Sequence, residues 1–154
     1  MHIDYGQKAA RREHLAVQQL GEALGAPVVV FPTDLWTKYA TGSTLTDPDK
    51  QPHTGRYGED GAELHHDLVN ARNFALTAFT TVLGDARDFH TICLGTSLTE
   101  ASVYPDNNQQ FMRLLQALMA YAAKPYHRIT ISQPVDTLHE VGDHPAWSGA
   151  RGAL

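Results

Sequence analysis

The chain has 154 residues, of which 42% are hydrophobic and 19% are charged. This size and composition suit one folded domain and exclude a disordered tail or a fibrous repeat. The formal net charge of -5 comes from 12 Lys and Arg against 17 Asp and Glu, and no basic run occurs. We therefore expect no direct nucleic-acid partner.

The lengths of the apolar runs and the cysteine content exclude further classes of protein. The longest apolar runs, such as residues 28–31, are too short to cross a bilayer, and residues 1–4 lack the features of a signal peptide. We expect a cytoplasmic protein with no membrane partner. Cys93 is the only cysteine, so one chain can form neither an internal disulfide nor a multi-cysteine zinc site. It falls in a predicted strand, where a buried, unreactive thiol is expected.

The first half of the chain reads as strand, helix and strand, over residues 1–4, 8–24 and 27–31. The helix carries one apolar face and ends at Gly25; the face comprises Ala10, Val17, Leu20 and Leu24. The second strand is β-branched and apolar, as in strands buried on both faces. This order is typical of a right-handed crossover in a parallel sheet. Residues 40–66 form a long loop that is either functional or mobile.

The second half continues the alternation. Predicted elements are a helix over 68–83 that Gly84 ends, a strand over 89–94, a helix over about 107–122, a strand over 129–131 and an irregular tail over 143–154. The first of these helices has an apolar stripe of Val69, Leu76, Phe79 and Leu83, and Asp106 is the predicted N-cap of the second. The sequence thus predicts a single α/β domain over 1–154, a three-layer sandwich with a mostly parallel sheet.

Polar residues that could form a site follow the predicted strands or interrupt the helical stripe. Arg72 and Asn73 share the stripe and should point inward, where Arg72 is either paired within the protein or contacts a ligand at a sheet edge. The loops at 4–7, 95–97 and 104–106 follow strand ends, and they either converge on a pocket or are ordinary turns.

Two further polar segments are weaker candidates. Residues 42–46 offer hydroxyl groups without the spacing of a Walker loop, which favours a turn over a phosphate site. His65, His66 and Asp67 diverge by about 100° per residue on a helix, so we predict no metal site.

Motifs in a fixed order resemble those of the 7-cyano-7-deazaguanine synthases of queuosine biosynthesis. The matching residues, spread over about residues 3–135, are Asp4-Tyr5-Gly6-Gln7, Glu13, Ala23-Leu24-Gly25, Ser43-Thr44-Leu45-Thr46, Val69-Asn70-Ala71-Arg72-Asn73, Gly95, Glu100, Tyr104-Pro105-Asp106 and Phe111. The resemblance implies an adenine-nucleotide α-hydrolase-like fold. It also implies ATP-dependent conversion of the carboxylate of 7-carboxy-7-deazaguanine to a nitrile with ammonia.

By resemblance, seven residues bind a nucleotide or deazapurine: Tyr5, Gln7, Arg72, Asn73, Glu100, Tyr104 and Asp106. Family geometry further suggests Glu100 or Asp4 as the partner of Arg72. No catalytic residue is assigned.

Departures from the family pattern are equally informative. The family opens with a strand and a Ser-Gly-Gly-x-Asp-Ser phosphate loop, whereas this sequence starts at the family's second strand. The family's four zinc cysteines are absent, Asn107 replaces a common Cys, and Asn70 replaces the usual Pro. We therefore expect neither ATP nor zinc as a cofactor of this chain by itself.

Three functions are compatible with this pattern. The first is a catalytically incomplete relative reused as a binding or structural subunit of a homo-oligomer or larger assembly. The second is a nitrile-forming enzyme that a separate chain completes with the phosphate loop. The third is a sensor of purine-like small molecules. The helix over about 107–122 has one core-facing stripe, which comprises Phe111, Leu114, Leu115, Leu118 and Met119, and its apolar arc extends beyond that stripe at Met112 and Tyr121. Association is expected through this second side, although the tail over 143–154 could cover it instead.

Overall fold

The computed structural model describes residues 1–52, 66–96 and 104–134. The chain divides into two compact units, Met1–Leu76 and Thr77–Leu154. The single-domain organisation stays a prediction. The expected tail over 143–154 lies outside the described residues, as does most of the second half of the 40–66 loop.

The first unit contains the expected strand, helix and strand. Strand β1 spans His2–Asp4, helix α1 spans Ala10–Leu24, and strand β2 spans Val30–Pro32. The two strands pair in parallel with Ile3 opposite Phe31. Gly25 ends α1 in the left-handed conformation with φ 62°, so this predicted helix end is confirmed.

The faces of these elements differ from the prediction. Strand β2 is exposed along its whole length rather than buried on both faces, and Leu20 and Leu24 of α1 are exposed, Leu24 to 76%. The buried residue of α1 is Gly21, where a Cβ atom would lie 2.4 Å from Cγ2 of Val28. The helix therefore approaches the following segment at its glycine, and its three leucines, Leu15, Leu20 and Leu24, are exposed.

Two further α-helices and two further strands follow in the described part of the chain. Helix α2 spans Arg72–Ala86 and crosses the boundary between the units, strand β3 spans Thr91–Cys93, helix α3 spans Gln109–Ala122, and strand β4 spans Thr130–Ser132. Strands β3 and β4 pair in parallel, with Ile92 opposite Ile131. Ile92, Met119 and Ile129 form the buried core of this unit.

The buried face of α2 corrects the predicted apolar stripe. The helix starts at Arg72, after Ala71 with a φ of 51°, and Gly84 does not end it. Its buried residues include Asn73, Thr77 and Thr81, spaced four apart, whereas Leu76 and Phe79 are only half-buried. Small polar side chains can turn inward here because they have local partners; Thr81, for example, donates to the carbonyl of Thr77 at 2.8 Å.

Helix α3 also presents a different face from the one predicted. Its buried residues are Met112, Leu115 and Met119, whereas Leu114 and Leu118 of the predicted core stripe are exposed. The N-cap is Asn108 rather than Asp106, because the Oδ1 atom of Asn108 accepts from the backbone N–H of Phe111 at 2.8 Å.

Cys93 is exposed, contrary to the expectation of a buried thiol. Side chains alternate along a strand, and Ile92 occupies the buried side of β3, so both of its neighbours in the strand turn outward. In the described part of the chain, no helix is long and apolar enough to cross a membrane.

Candidate functional site

The turn after β1 is built around a glycine that cannot be replaced without strain. Gly6 has a φ of +81°, and its N–H donates to Oδ1 of Asp4 at 3.1 Å. A Cβ atom at this position would lie 2.4 Å from Cγ2 of Thr37. The turn therefore brings its backbone into close contact with the segment that follows β2.

Gln7 holds this turn together from within. Its Oε1 atom accepts from the N–H of Tyr5 at 2.9 Å, and its Nε2 atom donates to the carbonyl of Ile3 at 3.3 Å and to Glu13 at 2.6 Å. Both amide protons of this buried side chain are thus donated to protein atoms. The structure gives Gln7 a structural function, and ligand binding by Tyr5 and Gln7 stays a prediction.

Trp36 connects the turn after β1, residues 4–7 and called the Tyr5 turn, to the segment before α2. It lies in a single π-helical turn, Leu35–Tyr39, is 1% exposed, and packs edge-on against the ring of Tyr5 with the ring centroids 5.3 Å apart. Its indole N–H donates to the carbonyl of Asn70 at 2.8 Å. The sequence analysis missed this residue, because no local sequence pattern marks it.

The hydroxyl-rich segment at 43–46 forms a hydrogen-bonded turn that packs on Asp67. The N–H groups of Thr46 and Asp47 donate to the carbonyl of Ser43 at 3.2 and 2.9 Å. The hydroxyl of Thr44 donates to the buried carboxylate of Asp67, and the hydroxyl of Ser43 donates to the Asp67 carbonyl at 3.2 Å. Part of the long loop is therefore an ordered structural element.

A cavity of about 520 Å³ lies between these segments in the first unit. Its lining comes from the turn after β1, the π-helical turn and the hydroxyl-rich segment with Pro48. The lining residues include Gly6, Trp36, Thr37, Thr41, Thr46 and Asp47. The volume falls in the range of about 300–1,000 Å³ that small-molecule sites occupy.

Arg72 and Asn73 begin α2 close in sequence to Asn70, which Trp36 contacts. Asn73 is buried and Arg72 is half-buried. Among the described residues Arg72 forms no ion pair with Asp4, whose carboxylate instead accepts from Gly6. The other expected partner, Glu100, lies outside the described residues, so its pairing with Arg72 stays a prediction.

The remaining predicted site residues belong to the second unit. Tyr104 and Asp106 are half-buried beside a single 3-10 turn, Pro105–Asn107, and Asn107 is fully buried. Convergence of the strand-end loops on one pocket stays a prediction, because these loops are divided between the two units.

A carboxylate–histidine pair in the second unit was not anticipated from the sequence. Oδ1 of Asp85 lies 2.7 Å from Nδ1 of His127, whose side chain is 7% exposed. The hydrogen bond from His127, aided by the backbone N–H of Lys124, holds the pKa of Asp85 below its ordinary value. The pair joins the last turn of α2 to the segment before β4, which is a structural function.

The donor set does not fit the zinc site that the resemblance implies. Cys93 is the single thiol of the sequence. In the three described ranges, no group of three His, Cys, Asp or Glu side chains is arranged to hold a metal. None of the residues that line the cavity is a Lys or an Arg, and Nζ of Lys50 donates to the carbonyl of Gly42 in the lining at 2.9 Å. The expected absence of ATP as a cofactor stays a prediction.

Comparison with known proteins connects these segments to one family. The family model "Queuosine biosynthesis protein QueC" matches residues 1–142. "7-Cyano-7-deazaguanine synthase 2" of Sulfurisphaera tokodaii and the 7-cyano-7-deazaguanine synthase of Saccharolobus solfataricus are each 36% identical over 143 residues, covering 92% of this chain and 31% of the relative. The enzyme of Halobacterium salinarum is 28% identical over 134 residues, covering 87% of this chain and 58% of the relative.

The chain therefore spans about a third of the length of its archaeal Sulfurisphaera and Saccharolobus relatives. No solved structure is significantly similar to it. The match nonetheless includes all of the described residues. It therefore includes the turn after β1, the hydroxyl-rich segment at 43–46 and the start of α2. These relatives are named as 7-cyano-7-deazaguanine synthases. The chain belongs to the QueC family of queuosine biosynthesis, which has an adenine-nucleotide α-hydrolase-like α/β fold.

Proposed function

We propose that the chain is a binding subunit of the 7-cyano-7-deazaguanine synthase type that takes up a purine-like molecule but does not by itself form the nitrile. The observation that carries this proposal is the cavity of about 520 Å³ beside the Tyr5 turn, within the region that matches the family. The three-layer sandwich with a mostly parallel sheet is part of the proposal, and the two parallel strand pairs are compatible with it.

The catalytic part of this proposal is supported by the composition of the 154 residues. Adenylation of a carboxylate requires stabilisation of the ATP phosphates by backbone N–H groups or cations. The sequence has no Ser-Gly-Gly-x-Asp-Ser loop, and none of the residues that line the cavity is a Lys or an Arg. A molecule made of these residues alone can hold a substrate without activating it.

Exposed apolar side chains support function within an assembly. On α3, Leu114, Leu118 and Tyr121 are exposed, in contrast to the buried Met112 and Leu115, and Tyr121 is 88% exposed. An apolar stripe of this kind is usually covered by another protein surface. We therefore propose that a second copy or a partner protein packs on this face of α3.

Binding of 7-carboxy-7-deazaguanine, followed by isothermal titration calorimetry, tests the function proposed here. We expect saturable binding to the 154-residue chain whether or not ATP and Mg²⁺ are present. Absence of binding under both conditions would remove the purine-site proposal.

A second candidate function is a synthase that another polypeptide completes. It is favoured by one observation: the chain covers only 31% of relatives that are named as synthases. Adding a family polypeptide that carries the phosphate loop distinguishes the two functions. Nitrile formation that requires both polypeptides supports the second, and a mixture that stays inactive supports the first.

A further inference from the structure

The cavity beside the Tyr5 turn is rich in hydrogen-bond acceptors. Asp47 contributes a carboxylate that accepts from the N–H of Asp49 at 3.0 Å and lies 3.5 Å from Nζ of Lys50. The side chains of this pair are 27% and 45% exposed, and an ion pair so accessible to water contributes little. A ligand can therefore displace the ammonium group from the carboxylate at small cost.

The hydroxyl groups around the cavity also act as acceptors. Thr37 donates its hydroxyl proton to the carbonyl of Asp34 at 3.1 Å, and Thr46 donates its proton to the carbonyl of Ser43 at 3.4 Å. With the protons committed, the lone pairs of both oxygens remain to accept hydrogen bonds. The walls therefore favour a molecule that donates several hydrogen bonds.

The apolar part of the lining restricts the shape of such a molecule. The buried Trp36 and Pro48 line the cavity beside the polar residues. Trp36 is held in place because its indole N–H is bonded to Asn70. A flat ring fits a space with one apolar wall and with acceptors at its rim.

We propose that this cavity binds a planar heterocycle through a cyclic amidine or guanidine edge, and that Asp47 determines specificity by accepting the adjacent N–H groups of that edge. Two carboxylate oxygens match two parallel N–H donors, the arrangement that makes such pairs strong and directional. This inference rests on the proposed function in one respect: a 7-deazaguanine carries an edge of this class.

The experiment uses 2-aminopyrimidin-4-one, which has the donor edge but is not a deazapurine, and uracil, which lacks the amino group. Binding to the 154-residue chain is followed by NMR through the indole N–H signal of Trp36. We expect the aminopyrimidinone to bind and uracil to bind at least about tenfold more weakly, because a hydrogen bond to a charged group contributes at least that factor.

Two matched variants locate the binding group. Asp47→Asn keeps an acceptor for the N–H of Asp49 but loses the charge and one acceptor oxygen, and it should weaken binding at least about tenfold. Asp49→Asn, at an exposed position outside the lining, should bind as the wild type does. Thr37→Val keeps the methyl group that contacts Gly6, removes one acceptor, and should weaken binding less; it serves as the test if Asp47→Asn does not fold.

The outcomes separate this inference from the proposed function. Aminopyrimidinone binding that depends on Asp47, without binding of 7-carboxy-7-deazaguanine, supports the cavity chemistry and contradicts the proposed function. Binding of 7-carboxy-7-deazaguanine that Asp47→Asn leaves unchanged overturns this inference alone. Equal binding of uracil and the aminopyrimidinone, or no binding of either, also overturns it.

Discussion

A single glutamine determines the conformation of the turn that follows β1. Gln7 is buried and bonds to Tyr5, Ile3 and Glu13, so its removal leaves the buried N–H of Tyr5 without an acceptor. We predict that Gln7→Ala lowers the free energy of unfolding by about 1–3 kcal/mol, the cost of an unsatisfied buried polar group. Urea denaturation measures this change.

Gln18→Ala is the matched control, because Gln18 lies at an exposed position of α1. Ala and Gln have similar helix propensities, so this variant should unfold at nearly the wild-type urea concentration. If the two variants unfold together, the hydrogen bonds of Gln7 do not stabilise the turn.

The Asp85–His127 pair makes the free energy of unfolding depend on pH. The pKa of Asp85 is lowered from 3.8 in the folded protein, so the pair stabilises the fold above that pH and loses this effect as the pH falls through the lower folded value. We predict that Asp85→Asn is less stable than wild type at neutral pH and that the difference shrinks in acid. Unfolding free energies measured between about pH 3 and pH 6 test this.

Asp88→Asn serves as the comparison, because Asp88 pairs with Lys124 at the surface and its side chain is largely exposed. Its effect on stability should be small at every pH. A difference for Asp85→Asn that stays constant with pH would show that the carboxylate charge is not involved.

At the scale of elements, the contact of α1 with the segment before β2 depends on Gly21. Ala has the higher helix propensity, by about 1 kcal/mol. The new methyl group would nevertheless collide with Val28, and overpacking costs about 1–3 kcal/mol. We predict that Gly21→Ala destabilises the protein and that the same substitution costs less in a Val28→Ala background, where the carbonyl of Ala26 still lies 3.0 Å from the new Cβ atom. A double-mutant cycle of unfolding free energies with no coupling would contradict this contact.

The sequence predicts the order of helices and strands better than it predicts their faces. Gly25 specifies the end of α1 because it can adopt a positive φ, and the period of Leu115 and Met119 specifies a helix in α3. Periodicity cannot say which of two apolar faces is buried. It also failed for α2, where Thr77 and Thr81 turn inward and the hydroxyl of Thr81 donates to the carbonyl of Thr77.

The candidate site was only partly predictable for the same reason. The sequence motifs pointed to Tyr5, Gln7 and Asn73, which belong to the first unit, and all three residues are buried. Trp36 and Asp47 contribute to the cavity through contacts between segments that are distant in sequence, and no local pattern marks them. The acceptor character of the cavity depends on which protons are already donated, and only the structure shows that.

At the scale of the whole molecule, the exposed stripe of α3 predicts association. The stripe, rather than Met112, is the surface to test, because Met112 is buried in the core. We predict that Tyr121→Glu lowers the native mass of the assembly while the thermal unfolding temperature of the released subunit stays near that of the wild type. Gln110→Glu adds the same charge at an exposed polar position and should leave the assembly intact. A wild-type chain that is monomeric at all concentrations would contradict association through this face.

We propose that the chain retains its substrate without converting it, and product analysis checks this. The purified 154-residue chain is incubated with 7-carboxy-7-deazaguanine, ATP, Mg²⁺ and ammonia, and both the bound and the free small molecules are identified by mass spectrometry. We predict that 7-carboxy-7-deazaguanine is recovered unchanged with the protein and that no nitrile forms. ATP-dependent nitrile formation above a heat-denatured control would contradict the account.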